Sequence, residues 1–203
     1  MKTLEWARKV QAIAQNGLTF CKDPYDIERY EQLQCLVSSL LSTQLEISKN
    51  DASNLWSSEK GYATPKIDVR SGLFLNGQIL LVRERSDGKW TLPGGWADIN
   101  DSPAEAAVRE LEEESGFKSR AIKLAAVYDR NKHEHPTMLY HVYKLFFICE
   151  MIGGQATTSY ETDDIAFFDR ESLPELSVTR VTKGQIERLF MHEQEKELPT
   201  DFD

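Results

Sequence analysis

Positive charge is scarce in this chain. Its 203 residues carry 24 Lys and Arg against 33 Asp and Glu, a formal net charge of −9. That balance argues against a nucleic-acid backbone as the main partner, because phosphates in duplexes are gripped by clustered basic side chains. A small anionic substrate would need the help of metal ions. Long apolar runs are missing too. Lys2, Glu5, Arg8 and Lys9 interrupt the first 20 residues, so no signal peptide is read there, and no segment approaches the ~20 apolar residues of a membrane span. Cysteine is sparse and odd in number: Cys21, Cys35 and Cys149 stand far apart in apolar stretches, the pattern of reduced thiols and not of a disulfide framework. These absences predict a cytoplasmic protein. The remainder is of globular composition, 40% hydrophobic and 28% charged, with room for one ordinary domain and a small second one.

Two stretches of different character follow one another. Residues 3–16 place Trp6, Val10, Ile13 and Ala14 at helical spacing, with Asn16-Gly17 as a stop. Asp23-Pro24 starts a second helix lined by Tyr30, Leu33, Val37 and Leu40. Residues 53–66, SNLWSSEKGYATPK, have the small and turn-forming residues of a linker. Residues 1–60 are therefore expected to be a small helical module, and its thin core predicts that it is covered by a second copy in a homodimer. Beyond the linker, VRSGLFLNGQILLVRER carries the hairpin signal Asn76-Gly77. AIKLAAVYDR, TMLYHVYKLFFICEMIGG and IAFFDRESL read as further strands, and TKGQIERLFMHEQEKE as a terminal amphipathic helix. This second part is a mixed α/β domain.

Between the hairpin and the next strand lies the stretch that carries chemistry. Ser102-Pro103-Ala104-Glu105 is a helix start with a capping box, and Gly116 can end the helix. At roughly 100° per residue, Ala104, Ala107, Val108, Leu111 and Ser115 form a packing face, while Glu110, Glu113 and Glu114 share another arc. Neighbouring like charges repel, and the helix dipole disfavours them in the C-terminal half. A solvated acidic face accounts for many such clusters. Otherwise a positive group must sit there, either Arg109 or a hard divalent cation with oxygen ligands.

The surroundings decide between these. Residues 95–117, GWADINDSPAEAAVRELEEESGF, resemble the signature of the Nudix hydrolases, G-x5-E-x7-R-E-U-x-E-E-x-G-U with U a bulky apolar residue. Gly95, Arg109, Glu110, Leu111, Glu113, Glu114, Gly116 and Phe117 match all specified positions but one, an agreement with a chance on the order of one in 100,000 in a chain of this length. Asp101 stands where the family has its first glutamate, as a shortened substitute. KWTLPGGWAD, YDRNKHEHP, YHVYKLFF and the module containing DPYDIERYEQL are similar to a bacterial branch of the family that has an N-terminal helical domain and includes CDP-choline and ADP-ribose pyrophosphatases.

The resemblance implies an α/β fold, a Nudix-type mixed sheet between helices (an α/β/α sandwich) over residues 67–203, behind the all-helical domain. It implies Mg²⁺ or Mn²⁺ on Glu110, Glu113 and Glu114, with Arg109 holding the cluster and Gly94 and Gly95 letting the backbone come close. The reaction implied is hydrolysis of the P–O–P bond of a nucleoside diphosphate-X, CDP-choline first and ADP-ribose second. It yields a nucleoside monophosphate and phosphorylated X, with Glu113 as general base and Glu161 as the other candidate. Arg83 and Arg85, which alternate on one strand, are candidates to bind substrate phosphate. So are Arg130, Lys132 and His133 in a loop that could close as a lid, a polar surface turn being the alternative reading. Trp90 and Trp96 could stack on a base or pack in the core. His133-Glu134-His135 lacks nearby cysteine and is not read as a zinc site. Two other functions stay open: a Nudix-like ligand sensor without turnover, and a hydrolase of RNA ends. A sensor tied to DNA should have a basic module, yet residues 1–60 hold seven Lys or Arg against eight Asp or Glu.

Overall fold

The computed structural model describes residues 3–56 and 59–203. Lys2 and the linker residues Ser57 and Ser58 lie outside them. The chain divides into two compact units, one running up to Pro65 and including Leu139–His141, the other made of Lys66–Met138 and Val142–Asp203.

In the first unit, α1 (Thr3–Phe20), α2 (Pro24–Leu45) and α3 (Lys49–Asn54) pack around Ala7, Val37, Leu41, Ala52 and Trp56. Leu139 and Tyr140 add to this core, and Arg8 Nη1 donates to Tyr140 O at 3.1 Å. Asp23 caps α2 by accepting from Tyr25 and Asp26 N–H. Asn16-Gly17 does not stop α1. The helix continues to Phe20, and Gly17 is where Tyr30 of α2 packs against it: a Cβ there would sit 2.4 Å from the Tyr30 ring. The buried side of α1 also differs from the expected one. Ala7, Gln11, Ala14 and Gln15 face inward, and Trp6 and Ile13 stay exposed. The expected linker overlaps the end of α3.

The second unit is built on β1 (Lys66–Leu75), β2 (Gln78–Glu84), β3 (Trp90–Thr91), β4 (Phe117–Asp129), β5 (Val142–Gly154), β6 (Thr162–Phe168) and β7 (Asp201–Phe202), with helices α4 (Pro103–Ser115) and α5 (Lys183–Gln194). The sheet order is β3-β2-β1-β5-β4-β7, and β6 pairs with β2. It is mixed: β1 runs parallel to β5, and β4 runs antiparallel to β5. Asn76 and Gly77 take positive φ, 52° and 81°, as a tight hairpin between β1 and β2 demands. Strand periodicity sends alternate residues to opposite faces. Leu80, Phe147 and Cys149 join Ala106, Ala107 and Leu111 of α4, whereas Ile79, Leu81, Phe146 and Ile148 join Ile186, Leu189 and Phe190 of α5. Each such fully buried aliphatic or aromatic side chain contributes roughly 1.5–3 kcal/mol, so the two helices are held on opposite faces of one sheet.

Residues 137–141, expected to begin a strand, are not part of β5, and Leu139–His141 belong with the first unit. Two short strands have no strong periodicity to announce them, β3 and β7.

Candidate active site

The helix α4 begins as its sequence demands. Ser102 Oγ accepts from Glu105 N–H and the Glu105 carboxylate accepts from Ser102 N–H, closing the capping box; Gly116, at φ 74°, ends the helix. Its packing face is rotated from the expected arc. Ala106, Ala107, Leu111, Glu114 and Ser115 are buried, and Val108 is only partly so. The three glutamates are therefore graded by depth: Glu114 is 5% exposed, the Glu110 side chain 15% and the Glu113 side chain 59%.

Glu114 is held by the loop before α4. Gly94 N–H donates to its Oε2 at 2.9 Å. Gly94 sits at φ 140°, so near β1 that a Cβ would lie 2.1 Å from Val69 O. Gly95 leaves the space into which the Glu110 carboxylate reaches, 3.0 Å from where its Cβ would be. The Pro93–Gly95 segment is tied to β1 by Val69 N–H to Gly95 O (2.8 Å) and Ser71 N–H to Pro93 O (2.9 Å). At Gly94 this is a backbone approach that only glycine permits.

Arg109 binds the outer glutamates together. Its guanidinium reaches Asp101 (3.0 Å), Glu110 (2.9 Å), Glu113 (3.1 Å) and Asp98 (3.3 Å). Asp101 thus pins the arginine that organises the cluster. Burial raises the Glu110 pKa, and Arg109 works against that rise. Burial pushes Glu114 up to about 8, against the field of Arg70 and the hydrogen bond from Gly94.

A buried charge network lies beneath, and sequence reasoning passes over it. Arg70 on β1 is 4% exposed. It donates twice to Asp68, at 3.0 and 2.8 Å, and once to Leu92 O at 3.1 Å. Its field opposes the upward shift of Glu114. Lys144 of β5, paired across the sheet with Asp68, donates to the same carboxylate. Burial lowers Lys144 to about 8, against the pull of Asp68; burial also works to raise Asp68, but Arg70 and Lys144 hold it below the ordinary carboxylate range. Glu84 is buried and raised by that burial, with Arg180 Nε 2.9 Å away as its counterion. Charged residues inside apolar strand runs, such as Lys144 in YHVYKLFF, were the available signal, since they are buried only when paired.

The remaining candidates are dispersed. Arg83 pairs with Asp163 at 2.7 Å and lies 5.8 Å from the centre of the Trp90 ring, which packs edge-on against Phe168. Arg85 is exposed, with Nη2 3.4 Å from Ser159 O and its N–H on Glu161 O. Glu161 is exposed beside Tyr160, and Tyr160 feels the charges of Glu161, Glu113 and Glu110 in that order. The same loop is tied to α4 by Thr162 Oγ1, which donates to Glu114 O at 2.9 Å. Trp96 is exposed. In the 129–136 turn, Arg130 is buried on Pro136 O and Thr179 O, and His133 is paired with Asp203 at 3.1 Å. His135 is held by Val178 O (2.8 Å) and Gln185 (3.0 Å). Lys132 is exposed. Arg130 and His133, expected to meet substrate, here hold the turn together.

Among the described residues no three His, Cys, Asp or Glu side chains already converge as a metal cage. The donor set nevertheless fits a hard cation. Glu110, Glu113 and Glu114 offer only oxygen, and Glu114 is a buried carboxylate whose charge a cation would stabilise.

Both parts of the chain have counterparts among known proteins. Residues 1–56 match the family described as UDP-X-like, N-terminal oligomerisation domain, and residues 66–189 match the NUDIX domain. A protein of Bacillus subtilis (strain 168), provisionally named an ADP-ribose pyrophosphatase, is 46% identical over 202 residues, 100% of this chain and 97% of that one. The crystal structure of a UDP-X diphosphatase aligns over 100% of both chains at 35% identity and a TM-score of 0.65. That of an ADP-ribose pyrophosphatase from Streptococcus suis 89-1591 covers 69% of this chain and 100% of its own, at 35% identity and a TM-score of 0.64.

The shifted carboxylate has a measurable consequence. Without metal, folded Glu114 keeps its proton up to about pH 8, whereas the unfolded chain releases it near 4.5. Between those values the unfolded state binds fewer protons, so stability declines as pH rises. With a chelator present, the Tm of the wild type should fall relative to that of Glu114→Gln between about pH 5 and about pH 8. Parallel curves would contradict the buried, protonated carboxylate.

Proposed function

The chain belongs to the Nudix hydrolases, and we propose that it is a metal-dependent pyrophosphatase that cleaves nucleoside diphosphate-X substrates. The observation that carries this reading is the pinned Glu114, with Glu110 beside it in the notch at Gly95: two acidic side chains brought together against one glycine segment. The relatives are named for ADP-ribose and UDP-X, so ADP-ribose takes first place as substrate here and CDP-choline second.

Glu110, Glu113 and Glu114 would hold Mg²⁺ or Mn²⁺, which supplies positive charge to the phosphate oxygens and lowers the pKa of the attacking water. The protein's own part follows from the graded depth of the glutamates. Glu114 and Glu110 are fixed and desolvated, suited to binding. Glu113, exposed and 3.1 Å from Arg109, accepts the proton of the water that attacks phosphorus, with Glu161 as the second candidate for that role. The P–O–P bond breaks, the leaving phosphate takes the electron pair, and the products are a nucleoside monophosphate and phosphorylated X. Arg83, Arg85 and Lys132 are the cations offered to the substrate.

The helical module fits a dimer contact. Trp6, Ile13 and Phe20 are 42%, 59% and 68% exposed. They lie seven residues apart, within about 20° of one line along α1. We read this stripe as the contact with a second copy, in line with the oligomerisation domain that residues 1–56 match.

Two measurements test the reading. With Mg²⁺ or Mn²⁺, kcat/KM for ADP-ribose, UDP-glucose and CDP-choline should exceed that for a nucleoside triphosphate, and Glu113→Gln and Glu114→Gln should each lower kcat by about 10²-fold or more. A triphosphate preferred tenfold over all three, or normal turnover in both variants, overturns the assignment. For the module, light scattering should give twice the chain mass of 23.2 kDa, reduced to once by Trp6→Lys combined with Ile13→Lys. A wild-type monomer at micromolar concentration defeats the dimer.

A further inference from the structure

The apolar face that α4 turns to the sheet is made mostly of short side chains. Ala104, Ala106 and Ala107 share it with one large residue, Leu111. Burial of apolar area is non-directional, and three alanines do little to fix how far a helix is rotated about its own axis. They do let its backbone come close. Ser71 Oγ of β1 donates to Ala107 O at 2.8 Å, a mid-helix carbonyl whose second lone pair lies beside the one that takes the i+4 amide. Seven residues on, Thr162 Oγ1 of β6 donates to Glu114 O at 2.9 Å. Ser71 and Thr162 are both 0% exposed. Carbonyls seven residues apart lie within about 20° of one line along a helix, so the two hydroxyls grip the same side of α4 at points roughly 10 Å apart.

The second grip is prepared by the residues around it. In Ser159-Tyr160-Glu161-Thr162, Ser159 Oγ accepts the N–H groups of Glu161 and Thr162, each at 3.1 Å, and Thr162 Oγ1 accepts Ser159 N–H at 3.1 Å. This reciprocal pair holds the Thr162 hydroxyl in place beside α4. The carbonyl it meets belongs to the last turn of the helix, where no intrahelical amide is left to donate. Thr157 N–H takes the following carbonyl, Ser115 O, at 2.9 Å, so the loop before β6 closes the end of α4 with two donors. Hydrogen bonds weaken steeply when misaligned. The two hydroxyls therefore specify what the alanines leave loose, the rotation of α4. Turning the helix away from them would also draw the Glu114 carboxylate off Gly94 N–H, now 2.9 Å from its Oε2.

We propose that Ser71 and Thr162, both outside the signature stretch, are positioning residues whose hydroxyls set the rotation of α4 and, through it, the depth of Glu114 and the placing of the carboxylates offered to the metal. Thr162 is the stronger of the two, because Glu114 O has no intrahelical partner and Ala107 O keeps one. The consequence for metal binding rests on the pyrophosphatase reading; the anchoring of α4 does not.

Two measurements on the full chain test this. In the metal-free protein, Thr162→Val removes the donor and keeps the shape of the side chain. Hydrogen exchange at the Gly94 amide should then quicken about tenfold, the scale of one lost hydrogen bond, with the amides of Phe146 and Ile148 in β5 unchanged. In calorimetric titration the Kd for Mn²⁺ should rise about tenfold in Thr162→Val and less in Ser71→Ala. Thr162→Ser, which retains the hydroxyl, should bind Mn²⁺ as the wild type does and guards against a misfolded valine variant. Unchanged Gly94 exchange in Thr162→Val, an equal acceleration at Gly94, Phe146 and Ile148, or a loss of Mn²⁺ affinity that Thr162→Ser does not restore would each overturn the positioning role while leaving the pyrophosphatase reading intact. A wild-type chain that binds no Mn²⁺ and hydrolyses no nucleoside diphosphate-X removes that reading, and the Gly94 amide then decides the anchoring by itself.

Discussion

The site hangs on one buried contact, the Glu114 carboxylate against the Gly94 amide. A carboxylate that is 5% exposed costs several kcal/mol to desolvate as an anion. The fold meets that cost with one backbone donor, the field of Arg70, and partial protonation. Everything nearby is arranged around it. Gly94, at φ 140°, points its amide there while its Cα presses on β1, a position with no room for a Cβ. Arg70 holds Leu92, and so the approach to the glycine turn, from below. Asp68 and Lys144 keep Arg70 in place. Taking one member out of such a set leaves uncompensated buried charge, which is why the network behaves as a unit.

Above this fixed layer the acids become progressively freer. Glu110 is half in the notch made by Gly95, Glu113 is exposed, and Arg109 ties both to Asp101 and Asp98. One arginine therefore does for the outer carboxylates what a backbone amide does for the inner one. The departure at the signature's first glutamate is absorbed here: Asp101 reaches Arg109 Nε at 3.0 Å from a loop position with a shorter side chain.

Much of this was legible because it is local. Asn76-Gly77 specifies its hairpin, Ser102 and Glu105 their capping box, and Gly116 the helix end, each through the conformational chemistry of a few adjacent residues. The spacing of the glutamates pointed to one face of one helix. What was not legible depends on distant partners. Gly17 reads as a helix stop until the Tyr30 ring is found packed on it. Helical angles alone put Glu114 on an exposed acidic arc, and only the tertiary packing of α4 against the sheet turns it inward. Asp68, Arg70 and Lys144 belong to two strands that become neighbours only in the fold. β7 is too short for periodicity, and Asp201 and the following Asp203 take their meaning from Tyr128, Asp129 and His133 some 70 residues earlier.

The central claim is that these carboxylates are assembled, at a cost, to receive a divalent cation. Metal binding must then expel the proton that burial holds on Glu114. The direct measurement is calorimetric titration of Mn²⁺ or Mg²⁺ near pH 7 in two buffers of different ionisation enthalpy. Release of about one proton per chain, given a Glu114 pKa of about 8, is the predicted result, with the release lost in Glu114→Gln. Metal binding without proton release in the wild type, or no binding at all, would contradict the account.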